Sequence, residues 1–193
     1  MPERHDPAFQ PRRSLTGDSP KAAARKIAAM IRVDHAGEYG AVRIYQGQLD
    51  ALKGSPAQPI IEHMQAQEMN HLQTFNNLLV QNRVRPSLLN PLWHMAGYAL
   101  GYVTGKLGER AAMACTVAVE EVIDAHYSEQ ERYLENLPDQ ADLQTTITRF
   151  RQEELEHRDI GLEHDAQNAP GYDLITGVVK TASKLAIWLS KRL

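Results

Sequence analysis

Apolar residues recur along this chain at the three-to-four spacing of a helix face, over four long segments at about 21–52, 59–83, 109–136 and 139–167. Each break carries helix-stopping residues: "KGSPAQP" after the first segment, "NRVRPSLLNP" after the second and "NLPDQ" after the third. No stretch alternates with the period of two that marks a half-buried strand. A fifth, shorter helix is predicted after "APGYD" and occupies 172–193. The pattern predicts an all-α protein: a four-helix bundle of two hairpins, joined by an apolar crossover at 88–108 and followed by an amphipathic C-terminal helix. Residues 1–20, polar and proline-rich, predict a disordered tail ahead of one domain spanning 21–193.

Four of the apolar stripes contain residues that do not belong in an apolar core. The first runs Ile27, Ile31, His35, Glu38, Val42, Tyr45, Leu49, Leu52, and the second Ile61, Met64, Glu68, His71, Phe75, Leu78. The third runs Met113, Thr116, Glu120, Ile123, Tyr127, Leu134, and the fourth Leu143, Ile147, Phe150, Glu154, His157. Each stripe thus carries a glutamate, and an isolated buried carboxylate costs roughly several kcal/mol unless it finds a partner. Two divalent cations would balance Glu38, Glu68, Glu120 and Glu154, with His71 and His157 as neutral nitrogen ligands. Mixed carboxylate and imidazole ligands suit iron or manganese. Residues three apart share a helix face, so each Glu-x-x-His can reach one ion. Glu38 and Glu68 are 30 residues apart, and Glu120 and Glu154 are 34 apart, so each pair spans one helix hairpin. This is the layout of ferritin-like di-iron and di-manganese carboxylate bundles.

The remaining charged candidates sort by the same criterion. Glu153 and Glu156 are predicted on the solvated face beside Glu154, and Glu121 on a mostly polar face beside Glu120. Glu62 and His63 read as residues of a solvated face, and His164, which extends the fourth stripe, as an ordinary helix-end residue. His35 is a candidate partner behind the ligands, while Tyr127, following His126, reads as a partly buried aromatic.

The crossover "SLLNPLWHMAGYALGYVTGKLG" is apolar, aromatic and glycine-rich, and admits two readings: a buried extra helix, or an interfacial segment dipping into a bilayer. The C-terminal helix places Leu174, Ile175, Val178, Ala182, Leu185, Ala186 and Leu189 on one stripe, with Lys180, Lys184, Lys191 and Arg192 supplying positive charge. Two such elements favour peripheral attachment to a membrane.

Composition narrows the class. The chain has 193 residues, 42% hydrophobic and 23% charged, as in a soluble globular protein. A formal net charge of −3 gives no electrostatic case for nucleic acid. The lone cysteine, Cys115, lies in the apolar run "AAMACTVAV", which points to a core residue and a reducing compartment. No apolar run is long enough to predict a spanning helix.

The segments "IRVDHAGEYGAVRIYQGQL", "EMNHL", "NRVRPSLLNPLW", "GYALG", "AMACTVAVEE", "FRQEELEHRDIGLEHDA" and "AIWLSKRL" closely resemble the demethoxyubiquinone hydroxylases of ubiquinone biosynthesis, from about residue 25 to the C-terminus. The resemblance implies a membrane-associated di-iron monooxygenase that uses O₂ to hydroxylate the ring of a polyprenyl demethoxyquinone. It implies two Fe ions per subunit, with ligands at Glu38, Glu68, His71, Glu120, Glu154 and His157. It also implies NADH as a possible electron donor, although no Gly-x-Gly-x-x-Gly fingerprint occurs here. A lipid-binding accessory protein is a further implied partner. Without a transit-type leader, the cytoplasmic face of a bacterial inner membrane is the expected location. The alternatives are a ferritin-like iron-storage protein with ferroxidase activity and a metal-free helical membrane adaptor.

Overall fold

A computed structural model describes residues 16–193. Six α-helices account for most of this span: α1 (Pro20–Ala51), α2 (Gln58–Gln81), α3 (Asn90–Lys106), α4 (Glu109–Leu134), α5 (Ala141–Glu163) and α6 (Tyr172–Ser190). No β-strand occurs among the described residues. The disordered tail expected over 1–20 lies outside the described residues as far as 15. Residues 16–19 already belong to the fold, since Asp18 contacts Lys26 Nζ at 2.8 Å and accepts from the Tyr133 hydroxyl at 2.9 Å. Ser19 then caps α1 by accepting from the Ala22 amide at 3.3 Å, and Pro20 opens the helix without wasting a donor.

Two hairpins, α1–α2 and α4–α5, face one another as a four-helix bundle, with α3 along α1 and α6 along α4. The order therefore repeats: a hairpin, then a third helix laid back against the hairpin's first member. Gly108, at φ 113° in a conformation that other residues rarely adopt, lets only two residues separate α3 from α4. One apolar cluster includes Tyr45, Ile61, Met64, Met113 and Val117; another includes Ile31, Phe75, Tyr127, Ile147 and Phe150. The four glutamates and two histidines of the stripes interrupt the helices between these clusters.

The fourth predicted segment, 139–167, resolves into a 3₁₀ turn at Pro138–Gln140, α5, and a second 3₁₀ turn at Ala166–Asn168. Asp165, at φ 65°, stands between α5 and that second turn, where the backbone has left the helical region. The crossover is a helix, but it is packed inside out. Its buried positions are Gly97, Gly101, Thr104 and Gly105, whereas Leu92, Met95, Tyr102 and Val103 point to solvent. The small residues let α3 approach the α1 backbone: a Cβ on Gly97 would lie 2.8 Å from the Gly40 carbonyl oxygen, and one on Gly101 would overlap the Ile44 carbonyl. The stripe predicted on α6 also divides. Leu174, Val178 and Leu185 are exposed, together with Trp188, while Thr176, Val179 and Ser190 are buried against the bundle.

Gly101→Ala should therefore destabilise the protein by about 1–3 kcal/mol, the usual cost of forcing atoms into a filled interface. Gly177→Ala, in a helix with no atom near its added Cβ, should instead stabilise it by roughly 0.5–1 kcal/mol. Urea denaturation of the two variants checks the opposite signs.

Candidate metal centre

All six stripe-breaking residues are buried: Glu38, Glu68, Glu120 and Glu154 are no more than 3% exposed, and His71 and His157 are fully enclosed. They form two overlapping groups, Glu38, Glu68, His71 and Glu154 in one and Glu68, Glu120, Glu154 and His157 in the other. In each group a potential ligand atom from every residue lies within 4.8 Å of the others. Glu68 and Glu154 belong to both groups, whereas Glu38 and Glu120 each belong to one. Each group thus draws three residues from one hairpin and one glutamate from the other.

His71 Nδ1 stands 3.2 Å from Glu154 Oε1 and 3.4 Å from Glu38 Oε2, and His157 Nδ1 stands 3.1 Å from Glu68 Oε1. None of these approaches is a formed hydrogen bond. Both Nδ1 atoms, both Glu68 oxygens and Glu154 Oε2 are buried without a hydrogen-bond partner. Orphaned buried polar atoms are rare, and here they converge on the same interior space. That donor set, oxygen-rich with one nitrogen per group, fits a pair of hard to borderline divalent ions.

Electrostatics points the same way. Burial and the carboxylates of Glu154 and Glu38 push Glu68 well above the ordinary carboxylate range. Burial, with Glu154 and Glu68, does the same to Glu120. Burial pulls His71 down, but the Glu154 and Glu38 carboxylates outweigh it and hold the imidazole up to about 12. Burial alone would raise Glu154, yet the His157 and His71 imidazoles bring it to about 2. Protons on these groups stand where cations would otherwise supply positive charge.

A ring of outer contacts fixes the six side chains. The Tyr127 hydroxyl donates to Glu38 Oε1, and the Tyr45 hydroxyl donates to Glu120 Oε1 at 3.0 Å. Each of the two glutamates unique to one group is therefore held by a tyrosine from the other glutamate's helix. Behind the histidines, His71 Nε2 meets Glu153 Oε2 at 2.5 Å and His157 Nε2 meets Gln67 Oε1 at 3.0 Å. Two expectations are corrected. Tyr127 is not a passive aromatic, because it lies 1% exposed with its hydroxyl on Glu38. Glu153 is not simply solvated, because α5 turns its carboxylate onto a histidine of α2. Tyr45, Gln67 and Asp34 carried no assigned role in the sequence reading. Overlaying the two hairpins would have found two of them, since Tyr45 and Tyr127 each follow a lone glutamate by seven residues, and Gln67 and Glu153 each precede a Glu-x-x-His.

The other candidates fall outside both groups. His35 Nε2 pairs with Asn76 Oδ1 at 3.1 Å. His126 Nε2 lies 3.3 Å from the buried Asp34 Oδ1, to which Gln130 donates at 2.6 Å. Glu62, His63, Glu156 and His164 are exposed, and Glu121 pairs with Lys180 of α6.

Beside the cluster runs an apolar groove of about 240 Å³ between α3 and α6. Gly37 and Ile44 of α1 and Val119 and Ile123 of α4 line it, with Leu100 of α3 and Ala186 of α6. Trp93 Nε1 donates to Ser190 Oγ at 3.2 Å and ties the two flanking helices together.

Four helices each turning a glutamate inward, two of them adding a histidine one turn later, define a ferritin-like helical bundle with a buried carboxylate–histidine centre. Comparison with known proteins narrows the class. Residues 25–190 match the family model described as ubiquinone biosynthesis protein COQ7, and the chain belongs to that family. It is 52% identical over 179 residues to the 3-demethoxyubiquinol 3-hydroxylase of Rhodospirillum rubrum, covering 92% of this chain and 82% of the relative. It is 50% identical over 181 residues to the NADPH-dependent 3-demethoxyubiquinone 3-hydroxylase, mitochondrial, of Homo sapiens, covering 93% and 82%. The 5-demethoxyubiquinone hydroxylase, mitochondrial, of Saccharomyces cerevisiae is 42% identical over 190 residues, covering 89% and 80%.

Two outcomes test the centre. Glu68→Gln should raise the stability of metal-free protein at pH values above the ordinary carboxylate range, because the amide occupies the site without the proton that burial and the carboxylates of Glu154 and Glu38 force onto Glu68. The same variant should lose the increase in melting temperature that ferrous or manganous ion gives the parent. The second outcome concerns pH. In the folded chain Glu68 and Glu120 keep protons that the unfolded chain releases above its ordinary carboxylate value, so their contribution falls as pH rises. His71, raised from 6.5 to about 12, contributes fully below 6.5 and loses that contribution as pH climbs toward 12. Both slopes have the same sign, so metal-free protein should lose stability from about pH 6 to about pH 9. Bound cations replace those protons, and the metal-induced gain measured by calorimetry should grow over the same interval.

Proposed function

We propose that the protein is a demethoxyubiquinone hydroxylase of ubiquinone biosynthesis that holds two iron ions through Glu38, Glu68, His71, Glu120, Glu154 and His157. Iron bound there would supply O₂ activation. In the net reaction one oxygen atom replaces a ring hydrogen as hydroxyl, and the other leaves as water with two electrons and two protons from a reductant. The residues' own part is positional: Tyr127 and Tyr45 hold the carboxylates of Glu38 and Glu120, and the apolar surroundings exclude water.

The observation that carries this reading is adjacency. Gly37 and Val119, which line the α3–α6 groove, immediately precede Glu38 and Glu120. A quinol ring in the groove would thus lie against the two helices that carry these glutamates. Its polyprenyl tail would leave past Leu92 and Met95 of α3 or Leu185 and Trp188 of α6, all at least half exposed. Iron storage has no use for such a groove, and the relatives are named as hydroxylases rather than storage proteins.

No helix among the described residues is long and apolar enough to cross a membrane. The exposed apolar side chains of α3 and α6, with Lys184, Lys191 and Arg192 nearby, support attachment to an anionic membrane surface, where the substrate resides. A bacterial inner membrane and a lipid-presenting accessory protein remain part of the proposal. For the reductant, several relatives' names specify NADPH where the sequence resemblance suggests NADH, so a nicotinamide nucleotide is the class proposed.

Protein loaded with ferrous iron should convert a short-tailed demethoxyquinone, with NADH or NADPH and ¹⁸O₂, into a product carrying one ¹⁸O atom. Iron-loaded protein giving no labelled product with either nucleotide or a chemical reductant would overturn the assignment. Leu185→Glu combined with Trp188→Glu should lower co-flotation with anionic vesicles by at least about tenfold, from the apolar burial lost. Iron content should be unchanged in that variant.

A further inference from the structure

The centre is built twice. α1 and α4 each carry a glutamate and, seven residues later, a tyrosine that reaches across to the other glutamate. α2 and α5 each carry a Glu-x-x-His preceded by a residue whose side chain crosses to the other hairpin's histidine. The two halves use the same residue types at the glutamates, tyrosines and histidines. They differ where the histidines are supported: Glu153 stands behind His71, and Gln67 stands behind His157.

Geometry makes these contacts equivalent in kind. In each, Nε2 faces the supporting oxygen, at 2.5 Å for Glu153 and 3.0 Å for Gln67, and Nδ1 faces the interior. Support at Nε2 fixes the same ring nitrogen as the available ligand in both halves. A carboxylate accepting from the far N–H makes an imidazole a stronger electron donor than a neutral amide does. His71 is also the more tightly constrained ring, because it stacks on Phe150 with ring centroids 3.9 Å apart. The guanidinium of the preceding residue, Arg149, lies over the Phe150 ring, and its Nε is 3.8 Å from Glu153 Oε1. His157 has a looser aromatic neighbour, Tyr45, edge-on at 6.1 Å.

We propose that the two metal positions are inequivalent, and that Glu153 and Gln67 are positioning residues that set the difference, making the His71 position the tighter one. This rests on the reading of the six residues as a dimetal site. It gives Glu153 a role that a solvated helix-face residue would lack, and makes Gln67, at the matching position of the other hairpin, its weaker counterpart.

The test titrates full-length metal-free protein with ⁵⁷Fe(II) under anaerobic conditions, reading affinity for each step and the Mössbauer spectrum. The parent should bind two ions in steps of unequal affinity and show two quadrupole doublets. Glu153→Gln should weaken the tighter step by about 10–100-fold while leaving the other step in place, so that steps and doublets converge. Gln67→Glu should converge them from the other side, by strengthening the weaker step. The double exchange should restore two unequal steps. Equal weakening of both steps in Glu153→Gln, or no change in either, would overturn the proposal while leaving the dimetal reading intact. Should Glu153→Gln lose its helical circular dichroism, Gln67→Glu decides alone, and unchanged steps in that variant would overturn the proposal. A parent that binds no iron would remove the dimetal reading and this inference together.

Discussion

Four carboxylates crowded into two overlapping groups, away from water, repel strongly enough to unfold a marginally stable bundle unless positive charge joins them. The surrounding architecture answers that constraint. Glu68 and Glu154 lie between the hairpins, so neutralising them draws the two halves of the molecule together. The tyrosines and the two histidine-supporting side chains then use hydrogen bonds to hold acids and imidazoles in place. Apolar clusters on either side supply the burial that a bundle interrupted by charge would otherwise lack.

Much of this was legible from the order of residues. Helix existence followed from apolar periodicity, and the six inward residues followed from asking which side chains broke it. Glu154 could be separated from Glu153 and Glu156 because Leu143, Ile147 and Phe150 fixed the inward face of α5. Periodicity could not say that Glu153, only partly turned away, would reach a histidine on a neighbouring helix. That contact depends on how α2 and α5 face each other, which is a tertiary property. Tyr127 presents the same difficulty, since a buried tyrosine in a stripe looks alike whether its hydroxyl meets a carboxylate or nothing.

The added helices mark a different limit. Apolar content made α3 conspicuous, but content does not reveal which face is inward. Glycines at 97, 101 and 105 were the decisive signal, because spacing of four aligns them on one side of a helix. On α6 a single stripe was predicted, yet packing on the bundle and α3 buries Thr176, Val179 and Ser190 and leaves larger side chains outside. Small residues win these interfaces because they permit close backbone approach, and shape overrides hydrophobicity there.

The inside-out packing of α3 has a thermodynamic consequence. A helix that buries glycine and exposes leucine, methionine and valine adds little to the heat-capacity change of unfolding, since much of its apolar surface is hydrated in both states. That surface instead belongs to the heat capacity of association. Whatever covers α3 and α6, whether lipid or a partner's apolar face, releases the same ordered water, and the binding enthalpy must become more negative as temperature rises.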